Sequence, residues 1–470
     1  MLPTRALRSR VSSVHVRTTE AKAANDADGL PLPRRFAAIA AILGAGVLVV
    51  LDGAIANVAL PSVARQLRAA PADTVWIITA YQLAVVMFLL PASAIGSRLG
   101  YRRVFTAGVA LFTLASVLCA LSPSLPWLVA ARCLQGLGAA AVMPLGLALL
   151  RFTYPRQLLA RAIGWNALAV AGATAAGPVV GAFILSTANW PWLFAVNLPI
   201  GALVLAACAK LPNPAPSRDR IDLWSVALNA MMFASLVLGS DRLPSNSWHG
   251  GALLGLSAMC LLLLVRRELP KAAPLIPLDL LRLHSFRISI IASVCCFTGQ
   301  MASYVALPFY LQHELGQSTA MTGLLMTPWP LAVMLAAPLS ARLAQRVPTA
   351  WLCAAGSACL ATGLALCALW PLHGNPALPI AMFTGLAGLG FGFFQTPNNQ
   401  NMLLSAPKER SGAAGGAQGT ARLAGLTLGS LLMSLGFGLL SPHSAVHWGL
   451  GLAALAAFAG SGVSLLRSRR

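Results

Sequence analysis

The sequence predicts an all-α protein that crosses a membrane many times, and three observations carry that prediction. Hydrophobic residues make up 57% of the 470 and charged residues 10%, whereas a soluble domain carries about 25% charged residues. Apolar runs long enough to cross a bilayer recur along the whole chain, divided by Gly, Pro and charge punctuation. The basic residues collect on alternate connections between those runs. Length alone would suggest roughly three soluble domains, but that prior assumes water as the solvent.

The runs give about fourteen spans, near 36–60, 74–95, 104–122, 125–150, 161–186, 190–209, 222–240, 249–265, 286–312, 318–341, 349–370, 377–403, 413–440 and 447–466. With the N-terminus inside, 28 of the 33 Lys and Arg fall in cytoplasmic segments. That asymmetry is the positive-inside rule. The net charge of +21 therefore reports topology, with both termini cytoplasmic, and argues against a nucleic-acid partner.

Residues 1–35 are basic and rich in Ser and Ala, with no apolar core of signal-peptide length. They read as a cytoplasmic tail or an over-long start; an Arg-rich transit peptide is weakened by Glu20, Asp26 and Asp28. The first span then carries Asp52. The other eleven acids fall in tails, loops or helix ends, so Asp52 is the one carboxyl deep in an apolar run. A carboxylate in hydrocarbon is costly unless it faces a cavity, finds a partner or takes up a proton, and is by default a functional hypothesis. The hypothesis here is a proton-coupling site.

Between spans two and three stands Gly96-Ser97-Arg98-Leu99-Gly100-Tyr101-Arg102-Arg103, a short basic turn that forces an antiparallel helix pair. A weaker copy, with Arg342 and Arg346 at the spacing of Arg98 and Arg102, lies between spans ten and eleven. Such repetition in corresponding halves marks repeat-built transporters. Span four holds Arg132 and Gln135. Arg132 is about 10 Å from the outer end and Asp52 about 24 Å from the inner end at helical rise. Across a core of about 30 Å the two depths agree within a turn, so they can share one network; Arg132 can equally be satisfied by carbonyls and Gln135. Span five contains Gly172, Gly177, Pro178 and Gly181, small residues that allow close helix approach around a proline that removes a donor.

The nine cysteines lie in apolar runs without a CxxC pair and read as packing residues. Histidines keep to loops, tail and helix ends, so no metal site is expected. Trp76, Trp127, Trp190, Trp192, Trp248, Trp370 and Trp448 fall near outer span ends, as an interfacial belt would.

Together these pieces resemble the major facilitator superfamily, in its fourteen-span drug:proton antiporter branch (EmrB/QacA type). Residues 52–61 are similar to the family's first-helix acidic motif and residues 93–103 to its loop signature. Arg132 with Gln135, Gly136 and Gly138 resembles the fourth-helix arginine motif, and Gly172 to Gly181 the antiporter motif. Trp190 to Pro199, Gly390 to Asn399, and Arg422 with Gly425 resemble further segments of this branch. The chain departs from the pattern at Ser97, where aspartate is usual, and at Ser93, Ala54 and Ala182. In the family that loop aspartate is thought to latch the cytoplasmic side, which implies a weaker latch here. The absence of a deep carboxylate from spans nine to fourteen argues against divalent cations as cargo.

The resemblance implies two six-helix bundles, 36–210 and 285–470, joined by a linker at 211–284 with two inserted helices. It implies alternating access at the bacterial inner membrane, driven by the proton gradient with no cofactor, and not an enzyme. The expected cargo is a small lipophilic or cationic compound, exported against protons coupled at Asp52 and Arg132. Gly96, Arg98, Gly100, Arg102 and Arg103 would gate. Asn57, Tyr81, Gln135, Gln300, Tyr304, Trp329, Asn398 and Arg422 are candidates to line the cavity, each equally explicable as a helix-packing group. Partners are the small molecule, protons and the bilayer, with periplasmic adaptor proteins as candidates. Export of an endogenous metabolite such as an amino acid, sugar or siderophore precursor stays open, as does a non-transporting sensor or scaffold. The chain contains no GxxxxGK[ST] run, so ATP is not the evident energy source.

Overall fold

The computed structural model of the chain describes residues 29–69, 71–74, 76–214, 221–243, 246–271, 274–369 and 377–468. Fourteen helices among them are long and apolar enough to cross a membrane, and the described residues contain no strand. In chain order the spanning helices are α1 (Leu32–Gln66), α2 (Trp76–Leu99), α3 (Tyr101–Ala120), α4 (Leu125–Thr153), α5 (Arg156–Thr187), α6 (Asn197–Cys208), α7 (Leu223–Arg242) and α8 (Ser247–Glu268). The second half has α9 (His284–Phe309), α10 (Pro328–Leu343), α11 (Thr349–Leu369), α12 (Ala377–Ser405), α13 (Ser411–Leu439) and α14 (Pro442–Leu465). Every span read from the sequence has its helix.

Prolines and glycines set the breaks. A short helix, Pro191–Ala195, precedes α6, because Pro199 has no N–H to offer the Ala195 carbonyl. Another, Thr319–Met326, precedes α10, where Pro328 and Pro330 withhold donors from Leu324 and Met326. Only Gly100 separates α2 from α3, and its φ of +101° is a conformation that glycine adopts without a Cβ penalty. The sharp turn expected of that loop is therefore one residue long.

Small residues bring the helices together, as membrane packing requires. A Cβ on Gly138 of α4 would stand 2.7 Å from the Phe112 nitrogen of α3, and one on Gly356 of α11 would stand 2.6 Å from the Phe394 nitrogen of α12. Gly177 of α5 lies directly against Ala54 of α1. Outward positions such as Val179, Leu203 and Leu455 are exposed apolar groups, which suits a lipid-facing surface.

The two halves meet in a two-fold pattern. Helices α2 and α4 pack on α13, while their counterparts α10 and α12 pack on α5. Many of these contacts fall at the end that carries the basic loops. There, Gly412, Gly416 and Gly419 of α13 press on Tyr101, Ser93 and Leu89, and Gly164 of α5 presses on Ala341 of α10. Helices α7 and α8 pair with each other, and α7 leans on α2, where the Asn229 amide donates to the Met87 carbonyl at 2.8 Å.

Candidate functional site

Asp52 sits in α1 with 1% of its surface exposed and Arg132 in α4 with none. Arg132 Nη1 donates to Asp52 Oδ2 at 2.6 Å. The other carboxylate oxygen, Oδ1, accepts from Gln135 Nε2 at 2.8 Å and from Asn197 Nδ2 at 2.6 Å. Arg132 Nε donates to the Ile77 carbonyl at 3.1 Å, and Nη1 also reaches Gln135 Oε1. Ser116 of α3 closes the network, accepting from Gln135 Nε2 at 2.8 Å and from Asn197 Nδ2 at 3.3 Å. Tyr81 of α2 lays its ring 4.2 Å from the Arg132 guanidinium carbon, and Phe194 stands at 5.6 Å.

Five helices of one half thus converge on one carboxylate. Isolated, that charge would be very costly to bury; paired and given three side-chain donors, it is stable there. Chemically the cluster can exist in two forms. With Asp52 ionised the ion pair holds α1 to α4; with Asp52 protonated that pair is broken and Arg132 must find other acceptors.

The remaining candidates divide. Arg422 of α13 lines a cavity between the halves, with Asn166 from α5, Gln395 and Asn399 from α12, and Gln418 from α13. Asn398 does not reach that cavity. It is fully buried, donates to the Ser289 carbonyl at 3.1 Å and to Ser293 at 2.8 Å, and accepts from Arg467. Trp329 is buried in an aromatic cluster, 5.2 Å edge-on from Tyr304 and 6.5 Å from Phe391; its indole N–H has no partner among the described residues. Gln300 is half-buried in α9, one turn before Tyr304. Tyr81 and Gln135 belong to the Asp52 cluster. The side chains of Asn57 and Pro178 lie outside the described residues, as does Trp370.

In the loop signature, Arg98 and Arg103 are exposed and Arg102 half-buried. Gly96 packs on Leu145 of α4, where a Cβ would meet Leu145 Cδ2 at 2.6 Å. Ser97 donates to its own helix at Ala94, and Ser93 is buried with no partner for its hydroxyl among the described residues. Gly172 lies near Met334 of α10, a Cβ there standing 3.8 Å from its sulfur, and Gly181 is buried in α5. Trp190, read as part of an interfacial belt, is instead buried, edge-on to Phe194.

The ties between halves at the basic end come from other residues. Arg151 of α4 donates to the Pro407 carbonyl at 3.2 Å and to Ser411 at 3.1 Å. The Tyr101 hydroxyl accepts from Gly412 N at 3.2 Å and donates to the Glu409 carbonyl at 3.3 Å. Beside these ties, Arg410 of the second half grips Asp279 of the linker with two bonds of 2.8 and 2.9 Å. Nearby, Glu268 at the end of α8 is buried against Ser225, Lys271 and the Leu275 amide. Asp222, which caps α7 from outside it, accepts from Arg267 and Lys271, and those bonds hold its carboxyl well below the usual carboxylate range.

Sequence reasoning gave no role to Asn197, Ser116, Asn166, Gln395, Asn399 or Gln418. Asn197 and the polar run 395–401 carry a readable signal, polar groups inside apolar spans. Ser116 carries none.

Residues 42–430 match the Major Facilitator Superfamily. The chain is 46% identical over 419 residues to the uncharacterized transporter YebQ of Escherichia coli (strain K12), covering 87% of this chain and 90% of that one. It is 30% identical over 388 residues to the riboflavin transporter RibZ of Clostridioides difficile (strain 630), 82% and 84% covered. It is 32% identical over 410 residues to the multidrug resistance protein Stp of Mycobacterium tuberculosis (strain CDC 1551 / Oshkosh), 84% and 75% covered. In fold it resembles the human organic anion transporter MFSD10, with TM-score 0.66, 16% identity, and 91% of this chain and 99% of that one covered.

Proposed function

The chain belongs to the Major Facilitator Superfamily, and from that premise we propose that it is a proton-coupled antiporter exporting small lipophilic compounds by alternating access. The Asp52–Arg132 pair carries this reading. A fully buried carboxylate held by Arg132, Gln135 and Asn197 has a charge that a proton can cancel, and cancelling it frees Arg132 and unties α1 from α4. In a membrane, a buried ionisable pair of this kind marks a proton path.

The cycle follows from the contacts. The ties from Arg151 and Tyr101 close the basic end, which we assign to the cytoplasm by the excess of Lys and Arg there. The form seen is then closed to the cytoplasm. Proton uptake at Asp52 loosens the first half and favours opening of the basic end. Cargo enters from the cytoplasm while the proton leaves, and the pair re-forms. The resemblance to a multidrug resistance protein supports an exporter with a lipophilic cargo. A second reading, export of an endogenous metabolite, is supported by the resemblance to a riboflavin transporter.

Expression in an exporter-deficient bacterium, with a susceptibility panel and proton release in inverted vesicles, tests the proposal. Wild-type protein is expected to raise resistance to lipophilic compounds and to release protons when they are added, and Asp52→Asn to do neither at equal membrane abundance. Full resistance from the Asn variant would remove Asp52 from the mechanism.

A further inference from the structure

Arg422, half-buried, is placed differently from the buried Arg132. It lies eleven residues into α13 from Ser411, about 16 Å along the axis, too deep to reach the basic end easily. Arg132 spends its donors on Asp52, Gln135 and the Ile77 carbonyl. Arg422 makes no hydrogen bond or ion pair among the described residues; its contact is the Phe297 ring, 5.9 Å away. A ring at that distance compensates a guanidinium only weakly.

The cavity that Arg422 lines supplies amides and no acid. Asn166, Gln395, Asn399 and Gln418 share the wall with it, and the rest of the lining is apolar or glycine. The ionisable groups near enough to Arg422 to interact electrostatically are Tyr304 and Tyr81, neither of which carries a negative charge at neutral pH. The cavity therefore holds one positive charge with no acid on its wall to cancel it. A cation entering it is repelled. An anion is attracted, and the planar fork of Arg matches a carboxylate with two parallel bonds.

We propose that the cavity between the halves is a binding site for small lipophilic anions, carboxylates above all, with Arg422 taking the charged group and Asn166, Gln395, Asn399 and Gln418 orienting the remainder. The proposal rests on the transport reading only in naming this occupant as cargo. This occupant narrows the lipophilic or cationic cargo of the sequence reading to a lipophilic anion.

The test is equilibrium binding to the full chain in bilayer discs of phosphatidylcholine alone, so that no anionic lipid headgroup is present. Three probes share one ring system: 1-naphthylacetate, 1-naphthylacetamide and 1-naphthylmethylammonium. The wild type is expected to bind the carboxylate about tenfold more tightly than the amide, the scale of one charge-assisted bond, and the ammonium more weakly than either. Arg422→Gln should erase the preference, and Arg422→Lys should restore part of it. Equal binding of carboxylate and amide by the wild type, including no binding of either, overturns the proposal, as does a preference that survives Arg422→Gln. Adding phosphatidylglycerol separates the two sources of anion: a preference abolished by that lipid assigns the site to a headgroup and overturns the small-molecule reading. Binding is measured without a proton gradient, so its outcome is independent of Asp52. A carboxylate preference without proton-driven transport would sink the coupling alone, and proton-driven export without that preference would sink this inference alone.

Discussion

At the scale of single residues, the Asp52 cluster has a measurable cost structure. Breaking a buried ion pair by removing one partner costs about 3–5 kcal/mol, because the other charge is left uncompensated. Arg132→Ala should therefore lower the thermal midpoint clearly, and Asp52→Asn combined with Arg132→Ala should recover part of the loss, since neither charge then remains. A double variant no more stable than Arg132→Ala would show that the pair is not what binds α1 to α4. Asn197→Ala removes a bond to the same carboxylate, worth about 1.5–3 kcal/mol, and should lower the midpoint less than Arg132→Ala. Asp52, Arg132 and Gln135 were legible from sequence because each is polar at depth in an apolar run. Asn197 was harder to assign, since 145 residues separate it from Asp52 and it follows a helix break that only the packing explains. Asn398 shows the limit of reading a motif by type. Adjacent helix residues point about 100° apart, so Asn399 lines the cavity while Asn398 ties α12 to α9.

At the scale of elements, small residues decide how closely helices meet, and the sequence displays them openly. Gly177 abuts Ala54, so Gly177→Val should force α5 from α1 and reduce both membrane abundance and efflux; unchanged levels and transport would show the contact to be plastic. The one-residue turn at Gly100 was legible as a tight turn. What tied it down was not, because Tyr101, Arg151 and the α12–α13 connection meet only in the folded chain. Glu268 was read as a helix-end acid and is one, but burial against Ser225 and Lys271 could not be read from a helix terminus. The neighbouring Asp222 gives a pH dependence of definite sign. Its carboxyl is held low in the folded protein, so its contribution is fully present above the ordinary carboxylate range and is lost as pH falls below about 4. Thermal midpoints of wild type and Asp222→Asn should differ near neutral pH and converge in acid; a gap that persists there contradicts the assignment.

At the scale of the whole molecule, fourteen spans were legible because length, hydropathy and basic punctuation are properties of the chain itself. Which residues seal the basic end was not, since the aspartate usual in the loop signature is replaced by Ser97. Ties from Arg151 and Tyr101 stand there instead. If alternating access requires this seal to open, fixing it should stop transport. Ser93 and Gly416 are suited to that: a Cβ at Gly416 would lie 3.2 Å from that of Ser93, close to the span of a disulfide. In a background lacking the nine native cysteines, Ser93→Cys with Gly416→Cys should lose transport on oxidation and regain it on reduction. Transport by the oxidised pair would mean that the two halves need not separate here.

The central claim is that one buried carboxyl trades its charge for a proton in every cycle. Counterflow and proton-driven accumulation, measured on the same reconstituted vesicles, test it most directly, because exchange of cargo for cargo needs no net proton movement. Asp52→Asn is predicted to retain counterflow and to lose accumulation driven by a pH gradient. Gradient-driven accumulation by that variant at the wild-type rate would contradict the account.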